Sequence, residues 1–118
     1  MRDPDLRQTL RAALRTAMKA RDETATSALR SALSAIDNAE AVEAPTPPTA
    51  GSGPIAGAVD GVGAGEAPRR ALSAVEVVAI VQSDIDERVA AAGEYDDLGR
   101  MEEAARLRAE AAVLTAFL

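Results

Sequence analysis

Apolar residues recur at helical spacing in two separate stretches of the chain. In the first stretch, Asp3 and Pro4 form an N-cap and first-turn pair, and an apolar stripe follows them. That stripe consists of Leu6, Leu10, Ala13, Leu14, Ala17 and Met18. The spacing predicts a helix over about residues 4–20 with this stripe facing a core.

A second helix follows after a very short join. Asp22 is a good N-cap residue, and Glu23 places an acid in the first turn, where the helix dipole favours it. The stripe consists of Ala25, Leu29, Ala32, Leu33, Ile36 and either Ala39 or Glu40. We expect a helix over about residues 23–42, and the short join implies that it runs antiparallel to the first.

The second stretch begins with a capping box, because Ser73 is followed three residues later by Glu76. Its apolar stripe consists of Val78, Val81, Ile85, Val89 or the stem of Arg88, Ala92 and Tyr95. The stripe keeps its phase through Gly93, so this glycine is interpreted as a residue inside the helix. The predicted helix covers about residues 74–97.

Gly99 marks the end of the third helix, since glycine commonly follows a helix C-terminus. A fourth helix is predicted over about residues 100–117. Its stripe consists of Ala104, Leu107, Ala111, Leu114 and Leu118, with Val113 and Phe117 beside it. No segment alternates between apolar and polar residues as a strand does. The predicted fold is therefore all-α, a four-helix antiparallel bundle made of two helical hairpins.

The stretch between the two hairpins has a different composition. Residues 45–68 hold five of the six prolines and six of the eight glycines, without a lysine or arginine. Such a segment buries too little apolar surface to offset the entropy lost on ordering. We expect a disordered linker over about residues 43–70, inserted into one domain that spans residues 1–118.

Composition excludes several classes of function. The chain has neither cysteine nor histidine, so disulfides, thiolate catalysis and the commonest transition-metal ligands are ruled out. Its net charge of −6 argues against broad adhesion to nucleic acid or anionic membranes. Apolar runs fall far short of the roughly 20 residues that a membrane helix needs. These features predict a cytoplasmic protein without membrane contact, cofactor or metal.

The most informative local pattern is a row of cations in the first predicted helix. Arg7, Arg11, Arg15 and Lys19 follow one another at intervals of four residues. This spacing places neighbours on adjoining turns and forms one basic ridge that could contact phosphates. The alternative is an ordinary solvated face opposite the leucine stripe, which is common on surface helices.

Other candidate sites are weaker. Carboxylates cluster in the second half of the chain, at Asp84, Asp86 and Glu87 and at Glu102, Glu103 and Glu110. Neither cluster has the spacing of an EF-hand, so surface ion pairs with Arg88, Arg106 and Arg108 are the favoured interpretation. The glycine-rich stretch 61–65 follows no predicted strand and lacks the ending of a phosphate loop. No serine has a histidine base, so no catalytic residue is predicted.

Several short motifs together resemble the YqeY family. They are Ala17-Met18-Lys19-Ala20-Arg21-Asp22, Leu29-Arg30, Leu72-Ser73-Ala74-Val75-Glu76-Val77, Arg88, Gly93-Glu94-Tyr95, Leu98-Gly99-Arg100 and the closing segment Glu110–Leu118. The resemblance covers the helical N-terminal domain of that family. This chain carries the Pro/Gly-rich insert where the family has a short central loop.

Members of this family are similar to C-terminal parts of the B subunit of aminoacyl-tRNA amidotransferase. The resemblance implies a non-catalytic adaptor that binds tRNA or a tRNA-processing protein. The alternative is a protein-interaction helper without a nucleic-acid partner, acting through the acidic second hairpin or the insert. A third possibility is glutamine-dependent carbon–nitrogen ligase activity, but the resemblance supplies no active site for it.

Overall fold

Four α-helices account for most of the residues that the computed structural model describes, which are residues 5–42 and 71–118. They are α1 (Leu6–Ala20), α2 (Glu23–Val42), α3 (Ala74–Asp97) and α4 (Met101–Thr115). Neither described range contains a strand, so the all-α prediction is confirmed. The insert predicted at about residues 43–70 lies outside the described residues.

The chain divides into two units, and both predicted hairpins contribute to the first. That unit comprises Met1–Ile36 together with Leu72–Leu118, and the other comprises Asp37–Ala71. Of the second unit, the described residues are the C-terminal part of α2 and Ala71. Because the first unit contains residues from both sides of the insert, the two apolar stretches fold as one body.

Helix ends follow the local capping chemistry, with one correction at the start of α1. The Asp22 carboxylate accepts from the Ala25 amide at 3.0 Å, as predicted. Helix α1 begins at Leu6 and is capped by Asp5, whose carboxylate accepts from the Arg7 amide at 3.1 Å. The predicted cap, Asp3, lies outside the described residues. The Asp5 carboxylate satisfies one of the free amides in the first turn of α1.

The second hairpin has both the capping box and the glycine turn that the sequence predicts. Ser73 Oγ accepts from the Glu76 amide at 3.1 Å, and the Glu76 carboxylate accepts from the Ser73 amide at 2.8 Å, which completes the capping box. Gly93 lies inside α3. Gly99 has a φ of +78° in the turn before α4, and its amide donates to Asp96. The antiparallel hairpin of α3 and α4 depends on this turn.

The core of the first unit draws on all four helices. Its buried members are Leu10, Ala17, Ala28, Leu29, Ala32, Ile36, Val77, Val81, Ile85, Ala111 and Leu114. Many of them are alanines, whose small side chains let helix backbones approach closely. This packing explains how a chain with one Phe, one Tyr and no Trp still forms a core. None of the described helices has both the length and the apolar character to cross a bilayer.

Three predicted core positions are wrong. Met18 and Leu118 are each 47% exposed, and Val78 is 43% exposed while its neighbour Val77 is buried. Burial along α3 follows the phase Val77, Val81 and Ile85, one residue before the predicted start of the stripe. That phase carries Arg88 toward the interior and leaves Val89 half exposed.

Candidate nucleic-acid interface

Every charged side chain in α1 is a cation. Between Leu6 and Ala20 the helix contains Arg7, Arg11, Arg15 and Lys19, and no Asp or Glu. An α-helix turns once in 3.6 residues, so each step of four residues drifts by about 40° around the axis. The four cations therefore wind along one side of α1, as the sequence predicts, while Leu10 and Ala17 are buried on another side.

The four cations of the predicted ridge differ in their exposure to solvent. Arg11, Arg15 and Lys19 are exposed, whereas Arg7 is half-buried and engaged in an interaction within the chain. We therefore restrict the term "α1 ridge" to Arg11, Arg15 and Lys19. An external ligand could reach these three cations along about two turns of helix.

The cations of the α1 ridge have no acidic partner among the described residues. Across ranges 5–42 and 71–118, no carboxylate lies within ion-pair distance of Arg11, Arg15 or Lys19. Two exposed arginines of the second hairpin, Arg100 and Arg108, do pair with carboxylates. An anion could thus bind the α1 ridge without first displacing an internal partner.

The turn after α1 places a further cation beside the ridge. Arg21 adopts a left-handed backbone conformation, with φ of 59° and ψ of 37°. Its amide donates to the carbonyl oxygens of Ala17 and Met18, which closes the C-terminus of α1. Glycine and asparagine adopt this conformation at less cost than arginine does. Arg21 is the one non-glycine residue with positive φ in the described part of the chain.

An open groove lies between the end of α1 and the start of α2. Its volume is about 620 Å³, and it is lined by Met18, Arg21, Glu23, Thr26, Ser27 and Arg30. The Arg30 guanidinium approaches the Met18 sulfur, with Nη2 at 3.8 Å from Sδ. We call this feature the α1–α2 groove. Its walls combine two guanidinium groups, two hydroxyls, one carboxylate and a thioether.

A second group of polar side chains is largely shielded from solvent, and no pattern in the sequence predicts it. Arg88 contacts Asp84 at 2.8 Å through Nη1 and donates to Glu110 at 3.1 Å through Nε. Its Nη1 also donates to Ser31 Oγ at 3.3 Å. The side chains of Arg88, Asp84 and Glu110 are only 11%, 11% and 9% exposed. The predicted surface ion pairs of Arg88 are therefore wrong, because these pairs lie in the interior.

This Arg88 cluster, which consists of Ser31, Asp84, Arg88 and Glu110, links three helices. Ser31 belongs to α2, Asp84 and Arg88 to α3, and Glu110 to α4. The Ser31 hydroxyl is oriented to donate to Asp84 Oδ2, at 3.2 Å. The Asp84 carboxylate is thus shared between the Arg88 guanidinium and the Ser31 hydroxyl. The arrangement is suited to joining helices.

The remaining acidic residues do not assemble into a metal centre. In the described ranges, no three carboxylates lie close enough together to hold a metal ion. Glu103 pairs with Arg100 at 2.8 Å. Asp96 accepts from Arg108, and this hydrogen bond raises the pKa of the arginine. The surface ion pair predicted for Arg108 is thus present, whereas the glycine stretch 61–65 lies outside the described residues.

Comparison with known proteins supplies no further assignment. The YqeY-like pattern stays a prediction, so the α1 ridge and the α1–α2 groove have to be interpreted from their own charges and contacts. No family model, curated protein or solved structure matches the chain.

Proposed function

We propose that this chain is a non-catalytic adaptor of the YqeY type that binds tRNA through the α1 ridge. The observation that carries the proposal is that Arg11, Arg15 and Lys19 are exposed on one helix without an acidic partner among the described residues. Neutralising RNA phosphates releases bound counterions, and this supplies most of the affinity of a basic surface. Because no described carboxylate pairs with these three cations, the whole contribution of counterion release is available when RNA binds.

The charge distribution predicts which side of the chain faces the RNA in the proposed complex. Helices α3 and α4 together contain ten acidic residues and three arginines, so their formal charge is 3 − 10 = −7. Helix α1 carries four cations and no acid. A polyanion approaching the chain is repelled by the second hairpin and attracted by α1. The negative net charge is therefore compatible with RNA binding confined to one side.

Charge reversal tests the proposal. We expect Arg15→Glu to weaken tRNA binding and to reduce the slope of log affinity against log salt by about one, and Arg11→Glu/Arg15→Glu by about two. Fluorescence anisotropy with labelled tRNA over a salt series measures both quantities. Arg106→Glu is the matched control, because it makes the same charge change at an exposed position of α4. An unchanged slope in the double variant would exclude the α1 ridge.

A second candidate function is favoured by a different observation. The exposed large apolar side chains of the described residues lie mainly in the second half of the chain: Val75, Val78, Val89, Leu98, Met101 and Leu118, against Met18 in the first half. Such residues are typical of protein contacts when they gather into a patch. The alternative is a helper that binds a protein through its second hairpin without RNA.

Affinity purification from the native cell, with and without nuclease treatment, separates these two functions. The adaptor function predicts that tRNA co-elutes and that this co-elution is lost in the Arg11→Glu/Arg15→Glu variant. A protein partner that survives nuclease and is lost in a Val75→Ser/Val78→Ser variant would favour the helper instead. Turnover of glutamine or ATP by the purified chain would contradict the non-catalytic part of the proposal.

A further inference from the structure

The α1–α2 groove lies directly beyond the C-terminal end of the α1 ridge. Lys19 is the last cation of the ridge, and Met18 and Arg21, on either side of it in sequence, both line the groove. An RNA strand bound along the ridge would therefore have the groove within reach of its next nucleotide. The two features can act as parts of one binding surface.

Each side of the groove offers a different chemistry. Arg21 and Arg30 supply planar guanidinium groups, which bind phosphate oxygens in pairs. Met18 supplies a polarisable apolar surface, and this thioether is 47% exposed. Thr26 and Ser27 contribute hydroxyls that can bond to a phosphate or a ribose. The combination matches a nucleotide, which presents an anionic phosphate, a polar sugar and a flat apolar base.

The positions of the two arginines are set by the fold. Arg30 Nη2 lies 3.8 Å from the Met18 sulfur, so its guanidinium is beside the thioether at the groove wall. Arg21 stands at the left-handed position that ends α1, where its amide is bonded to Ala17 and Met18. A long charged residue at a position that suits glycine costs some backbone strain. That cost is explicable if the guanidinium at Arg21 serves a ligand.

An unpaired nucleotide suits this groove better than a base-paired one. Bases within an A-form duplex are inaccessible to side chains through its deep major groove, whereas an unpaired base can be splayed out and packed against a protein. The groove volume of about 620 Å³ lies within the range of small-ligand sites. A splayed nucleotide could thus enter while the adjoining phosphates stay on the ridge.

We infer that the α1–α2 groove binds an unpaired nucleotide of the RNA, with its phosphate between Arg21 and Arg30 and its base against Met18. This inference rests on the proposed RNA-binding function and extends it. It makes the surface selective for a single-stranded end or bulge next to a duplex. The ridge supplies sequence-independent attraction, and the groove supplies selectivity.

Glu23 is the one acidic residue in the groove wall. It lies in the first turn of α2, where a carboxylate is favoured by the helix dipole. Its charge opposes a bound phosphate, so it lowers the affinity of the groove for any anion. We expect Glu23→Gln to tighten binding of RNA that carries an unpaired nucleotide by about twofold to fivefold.

Two RNA hairpins with the same stem provide the test, one blunt and one with a short single-stranded 3′ extension. The wild-type chain should bind the extended hairpin about fivefold more tightly than the blunt one. Met18→Ala leaves the charge unchanged and should abolish this preference while the blunt hairpin binds as before. Arg21→Gly suits the left-handed backbone and should also remove it. Thermal unfolding of each variant confirms that the fold is retained.

The outcomes separate this inference from the function on which it rests. If neither hairpin binds the wild-type chain, the RNA-binding function itself fails. If both bind equally and the Arg11→Glu/Arg15→Glu variant weakens both, the ridge stands and the groove assignment is overturned. Adenosine monophosphate that competes as strongly as the extended hairpin would instead contradict the ridge, because the ridge should add affinity only for RNA.

Discussion

Arg88 and the arginines of the α1 ridge carry the same charge in opposite surroundings. Arg88 is 11% exposed and shared between two carboxylates and a serine hydroxyl. Arg11 and Arg15 are exposed, and no carboxylate among the described residues pairs with them. The buried guanidinium is occupied by the protein itself, whereas the exposed ones are available to a ligand.

Formal charge alone therefore does not identify a binding surface. Removing a buried ion-pair partner leaves a charge that neither water nor protein stabilises, so the expected consequence is a loss of folding free energy. Removing an exposed cation changes stability little, but it alters the potential that an approaching polyanion meets. Stability and binding measurements should therefore respond to different arginines.

Arg88→Ala should produce the largest effect on stability. The substitution leaves Asp84 and Glu110 buried beside each other without their shared cation, at a cost of about 3–5 kcal/mol. Urea unfolding followed by circular dichroism measures this loss in the free energy of unfolding. Arg15→Ala is the matched control and should change that free energy by less than about 0.5 kcal/mol. Equal losses in both variants would remove the distinction between the two regions.

A combined variant shows whether charge or packing causes the loss. Replacing the three ionised residues together, as Asp84→Ala/Arg88→Met/Glu110→Leu, removes every charge of the Arg88 cluster. Buried ion pairs replaced by apolar residues are often neutral or stabilising, so most of the stability lost in Arg88→Ala should return. A combined variant as unstable as Arg88→Ala would instead assign the loss to the packing of the arginine stem.

Ser31→Ala should have a smaller effect from the same cluster. The Ser31 hydroxyl is oriented to donate to Asp84 and accepts from Arg88, so its removal leaves both with one fewer partner. We expect a loss of about 1 kcal/mol in the free energy of unfolding. Ser34→Ala, at an exposed position of the same helix, should have almost no effect. A Ser31→Ala variant as stable as the wild type would mean that the hydroxyl is dispensable to the cluster.

The helix ends could be predicted because they depend on local chemistry. Asp22 and Ser73 bond to amides within three residues, and Gly99 takes a backbone conformation that glycine favours. Each of these signals acts within one turn of helix, so the neighbouring sequence is sufficient to recognise it. At the start of α1 the cap is Asp5, two residues after the predicted Asp3.

The burial phase and the Arg88 cluster could not be predicted in the same way. Val77 and Val78 are adjacent valines, and only packing against the other helices decides that Val77 is buried. Arg88 lies within reach of Asp84 in sequence, but Ser31 and Glu110 come from helices on either side in chain order. Partners so distant in sequence leave no periodic signal that a single sequence reveals.

The ridge was predictable, and the groove was not. A spacing of four residues places Arg11, Arg15 and Lys19 on one side of α1 whatever surrounds the helix. The α1–α2 groove requires the left-handed turn at Arg21 and the approach of Arg30 to Met18 across two helices. The spacing of Met18 matches the leucine stripe and predicts a core position, so its exposure is visible only in the folded structure.

Arg100 differs from both kinds of arginine, because it is paired with Glu103 but is not buried. The two side chains are 57% and 39% exposed, and their charged atoms lie 2.8 Å apart. The pKa of Glu103 is lowered below its ordinary value of 4.5, first because its carboxylate accepts a hydrogen bond from its own backbone amide and then because it accepts one from Arg100. An ion pair exposed to water should contribute far less to the stability of the fold than the largely buried ion pairs of Arg88.

The pH dependence of unfolding should reveal this small contribution. Because the folded pKa of Glu103 is lowered, the carboxylate stabilises the fold above its unfolded pKa, and this stabilisation is lost as pH falls through the folded pKa. Glu103→Gln should therefore lower the melting temperature slightly at neutral pH and show a smaller further drop below about pH 4. Glu102→Gln is the control, since it removes a neighbouring exposed charge and leaves the Arg100 pair in place. Identical pH profiles for the two variants would show that pairing in water adds nothing measurable, and burial alone would then distinguish Arg88 from the other arginines.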